Sequence, residues 1–137
     1  MDELKQTAAI ATSGLKAQTE RLRTIAQNMA NADSMAERQG EDPYRRRVVT
    51  FKSVMDREVG AEMVRTGRVR EDMSAFTRKY DPSHPAADGE GYVLAPNVNP
   101  MVEMMDMREA QRSYEANLNV ITATREMTRN TLELLRS

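Results

Sequence analysis

Apolar and small residues recur along 3–31 at alternating spacings of four and three. They are Leu4, Ala8, Ala11 and Leu15, then Leu22, Ile25 and Met29, with Gln18 the one polar occupant of the same track. Such alternation puts every member on one stripe of an α-helix and predicts a coiled-coil seam; an ordinary amphipathic bundle helix is the plainer alternative. The segment has no Pro, and Gly14 is its one strongly helix-weakening residue. The pattern stops after Asn31, a residue type that tolerates the left-handed conformation in which helices end. Residues 33–43 are polar, hold Gly40 and Pro43, and read as a loop.

A second helix is predicted over 100–135. Asn99 suits an N-cap, and Pro100 falls at the tolerated first position. The inward track is Met107, Ala110, Tyr114, Asn117, Ile121, Thr124, Thr128, Thr131 and Leu135, with Leu118 and Leu132 widening it. Glu20–Arg23, Glu109–Arg112, Glu126–Arg129 and Glu133–Arg136 are i,i+3 pairs for the polar faces. Each helix would span on the order of 45–55 Å.

Between them, the C-terminal half of 44–51 has strand propensity, and short strands are expected near 62–65, 69–71, 76–80 and 91–94. Turn residues crowd the stretch Tyr80, Asp81, Pro82, Ser83, His84 and Pro85, followed by Asp88, Gly89 and Gly91. The fold expected is therefore mainly α with a small β-containing middle. Long N- and C-terminal helices pack as an antiparallel coiled coil, with short strands and loops between. Its parts are 1–32, 33–99 and 100–137, forming one structural unit.

Composition limits what this chain can do alone. Of its 137 residues 39% are hydrophobic and 4% aromatic, so an isolated monomer buries little and is expected to be marginal, or to borrow burial from neighbours. A net charge of −1 does not match the basic footprint of a nucleic-acid binder. The absence of Cys rules out disulfides, thiolate metal sites and a Cys nucleophile. No run reaches the ~20 apolar residues of a membrane span, and Asp2 and Glu3 leave Met1 to Ile10 without an apolar signal core. A cleavable secretory signal is therefore not expected, and another machine would have to recognise the chain if it leaves the cytoplasm.

Candidate chemistry is sparse. The one His, His84, lies too close in sequence to Asp81 and Ser83 for a catalytic triad, and a turn role is the simpler reading. Residues 81–91 fail as a calcium loop, with Ala86 where Gly is needed and Ser83 and Pro85 at ligand positions. No enzyme, cofactor or metal is expected. The run Arg45-Arg46-Arg47 reads as a solvated strand edge, with a subunit interface as the alternative. Gln18 and Asn117, polar on apolar tracks, either set register or face solvent.

Two groups of motifs carry a resemblance. Gly14-Leu15-Lys16-Ala17-Gln18, Arg21-Leu22 and Ile25-Ala26-Gln27-Asn28-Met29-Ala30-Asn31-Ala32-Asp33 resemble the N-terminal signature of bacterial flagellar axial (rod, hook and hook-associated) proteins. Tyr80 to Pro85, Gly91-Tyr92-Val93, Pro96-Asn97-Val98-Asn99 and Arg112-Ser113-Tyr114-Glu115-Ala116-Asn117 narrow it to the proximal-rod branch. Ser34 departs from the Thr common at its position. The resemblance marks Asn28, Asn31, Asp33, Tyr80, Asp81, Pro82, His84, Pro85, Gly91, Tyr92, Pro96, Asn97 and Asn99 as motif residues. It implies a structural subunit of the basal-body rod, exported by the type III apparatus and polymerised into the shaft that crosses the periplasm and transmits torque. The implied partners are copies of itself, other rod proteins, the rod-to-membrane-ring adaptor and the rod-capping protein.

Joined to the periodicity, this gives an assembly mechanism in which Leu4, Ala11, Leu15, Leu22, Ile25, Met29, Met107, Ala110, Tyr114, Ile121, Leu132 and Leu135 supply burial. Gln18, Asn28, Asn31 and Asn117 fix register. A cytoplasmic coiled-coil adaptor or export chaperone is the alternative and predicts a stable helical dimer.

Overall fold

The computed structural model describes residues 3–136, so the first two residues of the N-terminal segment and the last of the C-terminal one lie outside it. Two helices, α1 (Glu3–Ala30) and α2 (Pro100–Arg136), bracket four strands, β1 (Arg47–Asp56), β2 (Ala61–Glu71), β3 (Thr77–Tyr80) and β4 (Tyr92–Ala95). The strands form two separate antiparallel hairpins, β1–β2 and β3–β4.

Asn99 starts α2 as its sequence suggests. Its Oδ1 accepts the Met101 N–H at 3.0 Å, and its carbonyl accepts the Glu103 N–H at 3.0 Å. Asn31 ends α1 differently from expectation, because no non-glycine residue among those described takes positive φ. The helix closes through side-chain bonds instead: Asn31 Nδ2 donates to the Gln27 carbonyl at 2.9 Å, and Ser34 Oγ donates to Asn31 Oδ1 at 3.0 Å.

The first hairpin is longer than the sequence suggested. One 11-residue strand, β2, replaces the two short candidates at 62–65 and 69–71, and β1 runs five residues past Phe51. The missed signal is the turn at 56–60. Asp56 Oδ1 accepts the Glu58 and Val59 N–H groups at 2.9 and 3.2 Å, and the Gly60 N–H closes on the Asp56 carbonyl at 2.8 Å. The second hairpin holds the turn-rich motif. Asp88 Oδ1 accepts the N–H groups of Glu90 and Tyr92, both at 2.9 Å, and His84 Nδ1 accepts that of Ala86 at 3.0 Å. Tyr80 and Tyr92 meet edge to face across β3–β4, centroids 5.3 Å apart. Gly91 lies beneath them, where a Cβ would stand 3.0 Å from the Tyr80 ring and 3.2 Å from Pro82 Cβ. Ala36, Ala86 and Val93 form a small apolar cluster that ties the loop after α1 to this hairpin.

α1 and α2 lie side by side and antiparallel. A Cβ at Gly14 would meet the Asn117 side chain, and Arg21 pairs with Glu109 at 3.5 Å. The other flank of α1 packs on the β1–β2 hairpin, where Gln6 Nε2 donates to the Val59 carbonyl at 2.9 Å and Ser13 Oγ accepts the Val64 N–H at 3.1 Å. Two flanks in contact explain why the deepest stripe of α1 is Ala11, Gly14, Ala17, Thr24, Ile25 and Asn28. This stripe is rotated about a quarter turn from the periodic track. Leu4, Leu15, Gln18, Leu22 and Met29 are half-buried beside it.

Candidate functional site

Two features concentrate the chemistry of this molecule, a polar clasp at one end of the helix pair and the helix seam itself. The clasp centres on Arg46, just before β1. Its guanidinium pairs with Glu103 through Nε, with Asp106 at 3.2 Å and with Asp72 at 3.3 Å. Glu103 is 0% exposed, and its second oxygen has no hydrogen-bond partner among the described residues. Burial pulls the Arg46 pKa down. Glu103, by hydrogen bond and charge, then Asp72 and Asp106, outweigh that pull, and the net displacement is upward. Asp72 is held below the usual carboxylate range by the Ser74 N–H and hydroxyl first. Desolvation opposes them, and Arg46 adds to the lowering.

Around this centre, amides take up the backbone groups of the irregular chain. Asn97 Oδ1 accepts the Arg46 N–H at 2.7 Å, while its Nδ2 donates to the Asp72 carbonyl at 2.8 Å. Arg45 Nη1 donates to the carbonyls of Asp72 and Ser74, and its guanidinium stacks 4.1 Å from the Phe76 centroid. Asn28, 1% exposed, pairs with Arg47 as a neighbouring strand would. Its Nδ2 donates to the Arg47 carbonyl at 2.7 Å, and its Oδ1 accepts the Arg47 N–H at 2.9 Å and the Tyr44 hydroxyl at 2.8 Å. The clasp thus ties the end of α1, the start of β1, the end of β2 and the start of α2.

This corrects the reading of Arg45-Arg46-Arg47 as a solvated edge. Arg45 and Arg46 are internal anchors, and only Arg47 is exposed. Position along the chain could not show it, because the partners lie up to 60 residues away. Glu103 and Asp106, i,i+3 in the first turns of α2, were the available hint.

On the seam, the α2 track is inward from Met107 to Thr124. Ala110 and Thr124 are buried, and Met107, Tyr114, Asn117 and Ile121 are half-buried. Asn117 faces α1 across Gly14, with its Nδ2 tethered to the Ser113 carbonyl at 3.0 Å. Gln18 has its Oε1 buried without a hydrogen-bond partner among the described residues. Beyond Thr124 the expected burial fails. Thr128 and Thr131 are exposed, Leu132 is 58% exposed and Leu135 is 78% exposed. Continuing the antiparallel register places Glu3 opposite about residue 128, so α1 does not flank the last turns of α2. Among the remaining motif residues, Pro96 is buried, Asp81, Asn31 and His84 are half-buried in turns, and Asp33, Pro82, Pro85 and Asn99 are exposed.

Comparison with known proteins bears on what these features serve. Residues 90–134 match the family described as flagellar basal body rod FlgEFG protein C-terminal. The flagellar basal-body rod protein FlgC of Agrobacterium fabrum is 48% identical over 137 residues, covering 100% of this chain and 99% of the relative. The proteins of the same name from Aquifex aeolicus and Bacillus subtilis are 40% and 36% identical. The first alignment spans 90% of this chain and 91% of the relative, the second 91% and 93%.

Proposed function

We propose how assembly works for this chain, which belongs to the FlgC family of flagellar basal-body rod proteins and is a structural subunit of the rod. The subunit stands in the proximal part of the shaft. Its two terminal helices form an antiparallel coiled coil that lines the tube, and the hairpins pack outside. Partners beyond other rod components are the ring adaptor, the rod cap and the type III export apparatus, which delivers the chain.

The observation that carries this reading is the bare end of α2. Leu132 and Leu135 stand on its inward track, yet none of the described residues covers them. Large apolar side chains on a regular stripe are stabilising only when another surface removes them from water, each by about 1.5–3 kcal/mol. A neighbouring subunit's helix supplies that surface, so the stripe is completed by polymerisation. Contacts that do not close on themselves build a helical tube. Leu4, Ala11, Leu15, Leu22, Ile25, Met29, Met107, Ala110, Tyr114 and Ile121 hold the pair together, while Gln18 and Asn117 set its register. The clasp keeps the loop-rich middle in one orientation relative to both helices, which transmission of torque requires.

The test is Leu132→Glu with Leu135→Glu. The purified chain should keep its urea midpoint, because both residues are exposed, while rods fail to form and cells stop swimming. Normal rods carrying the double substitution would remove the basis of the mechanism.

A further inference from the structure

Between α1 and β2 runs an open groove of about 750 Å³, with Ala9, Ala17 and Met63 among its lining residues and Lys16 and Arg65 at its sides. Among the described residues neither cation has an ion-pair partner, whereas Glu20, also on the groove, is engaged by Arg23 at 2.7 Å. The charge is reinforced from β1. Lys52 stands directly opposite Arg65 in the hairpin, a like-charge cross-strand pair that destabilises the hairpin in isolation. Arg68 and Arg70 follow on β2, and no Asp or Glu occurs in 48–55 or 63–70. Lys52, Arg65, Arg68 and Arg70 are all exposed. Asp56 also lines the groove, its Oδ1 held by the Glu58 and Val59 N–H groups, and Glu62 accepts the Ser53 hydroxyl, so the middle of the hairpin presents exposed cations beside the groove with no ion pair to these carboxylates.

The opposite charge is on the loop after α1. Residues 33–42 contain Asp33, Glu37, Glu41 and Asp42 against the single Arg38, and these four carboxylates are exposed and form no ion pair among the described residues. The loop projects: a Cβ added at Gly40, where φ is +88°, would meet nothing within 4 Å.

We infer that the groove between α1 and β2 receives the acidic 37–42 loop of a second copy of this chain, with Glu41 and Asp42 meeting Lys16, Lys52 and Arg65. Two different patches then join head to tail, the heterologous arrangement that propagates around a tube. Charge complementarity selects the partner and its orientation. The inference rests on the rod reading above and deepens it by naming the lateral contact.

A chain without Cys makes the test clean. Arg65→Cys and Glu41→Cys are introduced on separate copies and co-expressed, basal bodies are purified, and a short bismaleimide is added. Expected is a cross-linked homodimer only when both substitutions are present. A cross-link from Arg65→Cys to a different rod protein, or none, in basal bodies that do contain the chain overturns the groove contact and leaves the rod reading intact. Absence of the chain from basal bodies overturns both. As a second arm, Lys52→Glu with Arg65→Glu should weaken the contact about tenfold and shrink swim halos, and Glu41→Lys with Asp42→Lys should restore them. Failure of the swap to restore swimming, with the urea midpoint unchanged, also counts against the contact.

Discussion

Replacing Arg46 by Met tests the clasp where it is most exposed to refutation. Glu103 is fully buried, and among the described residues its Oε2 lacks a partner and Arg46 is the one cation paired with it. Asp72 and Asp106 keep about a quarter to a third of their side-chain surface in water and can rehydrate. The cost therefore falls on Glu103. Leaving a buried charge without its counter-ion costs about 3–5 kcal/mol. Small proteins lose roughly 1–3 kcal/mol of stability per molar urea, so the midpoint should fall by about 2 M. That is a large part of the 5–15 kcal/mol typical of a folded domain. Glu103→Leu added to Arg46→Met should recover most of the loss, because apolar residues of similar volume often replace a buried ion pair at little cost. Urea unfolding followed by circular dichroism, completed as a double-mutant cycle, measures both. A loss under about 1 kcal/mol for the single variant, or a double variant no more stable than the single, would refute the assignment of Arg46 and Glu103 as the centre of the clasp.

Two further outcomes follow from the same structure. Gly14→Ala gains about 1 kcal/mol of helix propensity but brings a Cβ to 2.9–3.1 Å from the tethered Asn117 amide, an overpacking cost of roughly 1–3 kcal/mol, so thermal unfolding should show net destabilisation. In an Asn117→Ala background the same substitution should become stabilising, and destabilisation in both backgrounds would place the cause elsewhere. Asp72 has a folded pKa below its unfolded value, so its contribution is fully present above the unfolded carboxylate pKa of about 3.9 and is lost as pH falls through the lower folded value. Asp72→Asn should therefore be less stable than the parent near neutrality and converge on it in acid, and a constant gap across an acid titration of the urea midpoint would contradict that linkage.

How much was legible in the sequence varied with the range of the interaction. The two helices, the N-cap at Asn99 and the turn chemistry from Asp81 to Gly91 depend on neighbours within a few residues, so periodicity and residue type revealed them. The inward face of α2 from Met107 to Thr124 was legible for the same reason. What tracks cannot tell is how many neighbours a helix has. α1 touches α2 on one flank and the β1–β2 hairpin on the other, and its deepest residues fall at the corner between them, at Gly14, Ala17 and Thr24. Gly14, a weakness by propensity, is the point where the Asn117 side chain fits.

The Arg45-Arg46-Arg47 run marks the boundary most clearly. Its charge was plain from the chain, but whether it faced solvent or carboxylates depended on Asp72, Glu103 and Asp106, brought in from up to 60 residues away. By itself the sequence determined the local elements, the thin supply of apolar surface and, through its motifs, the family. Only the tertiary structure decided which charges are satisfied within the chain and which surfaces are left over, because desolvation and pairing are properties of what surrounds a side chain and not of its place in the sequence.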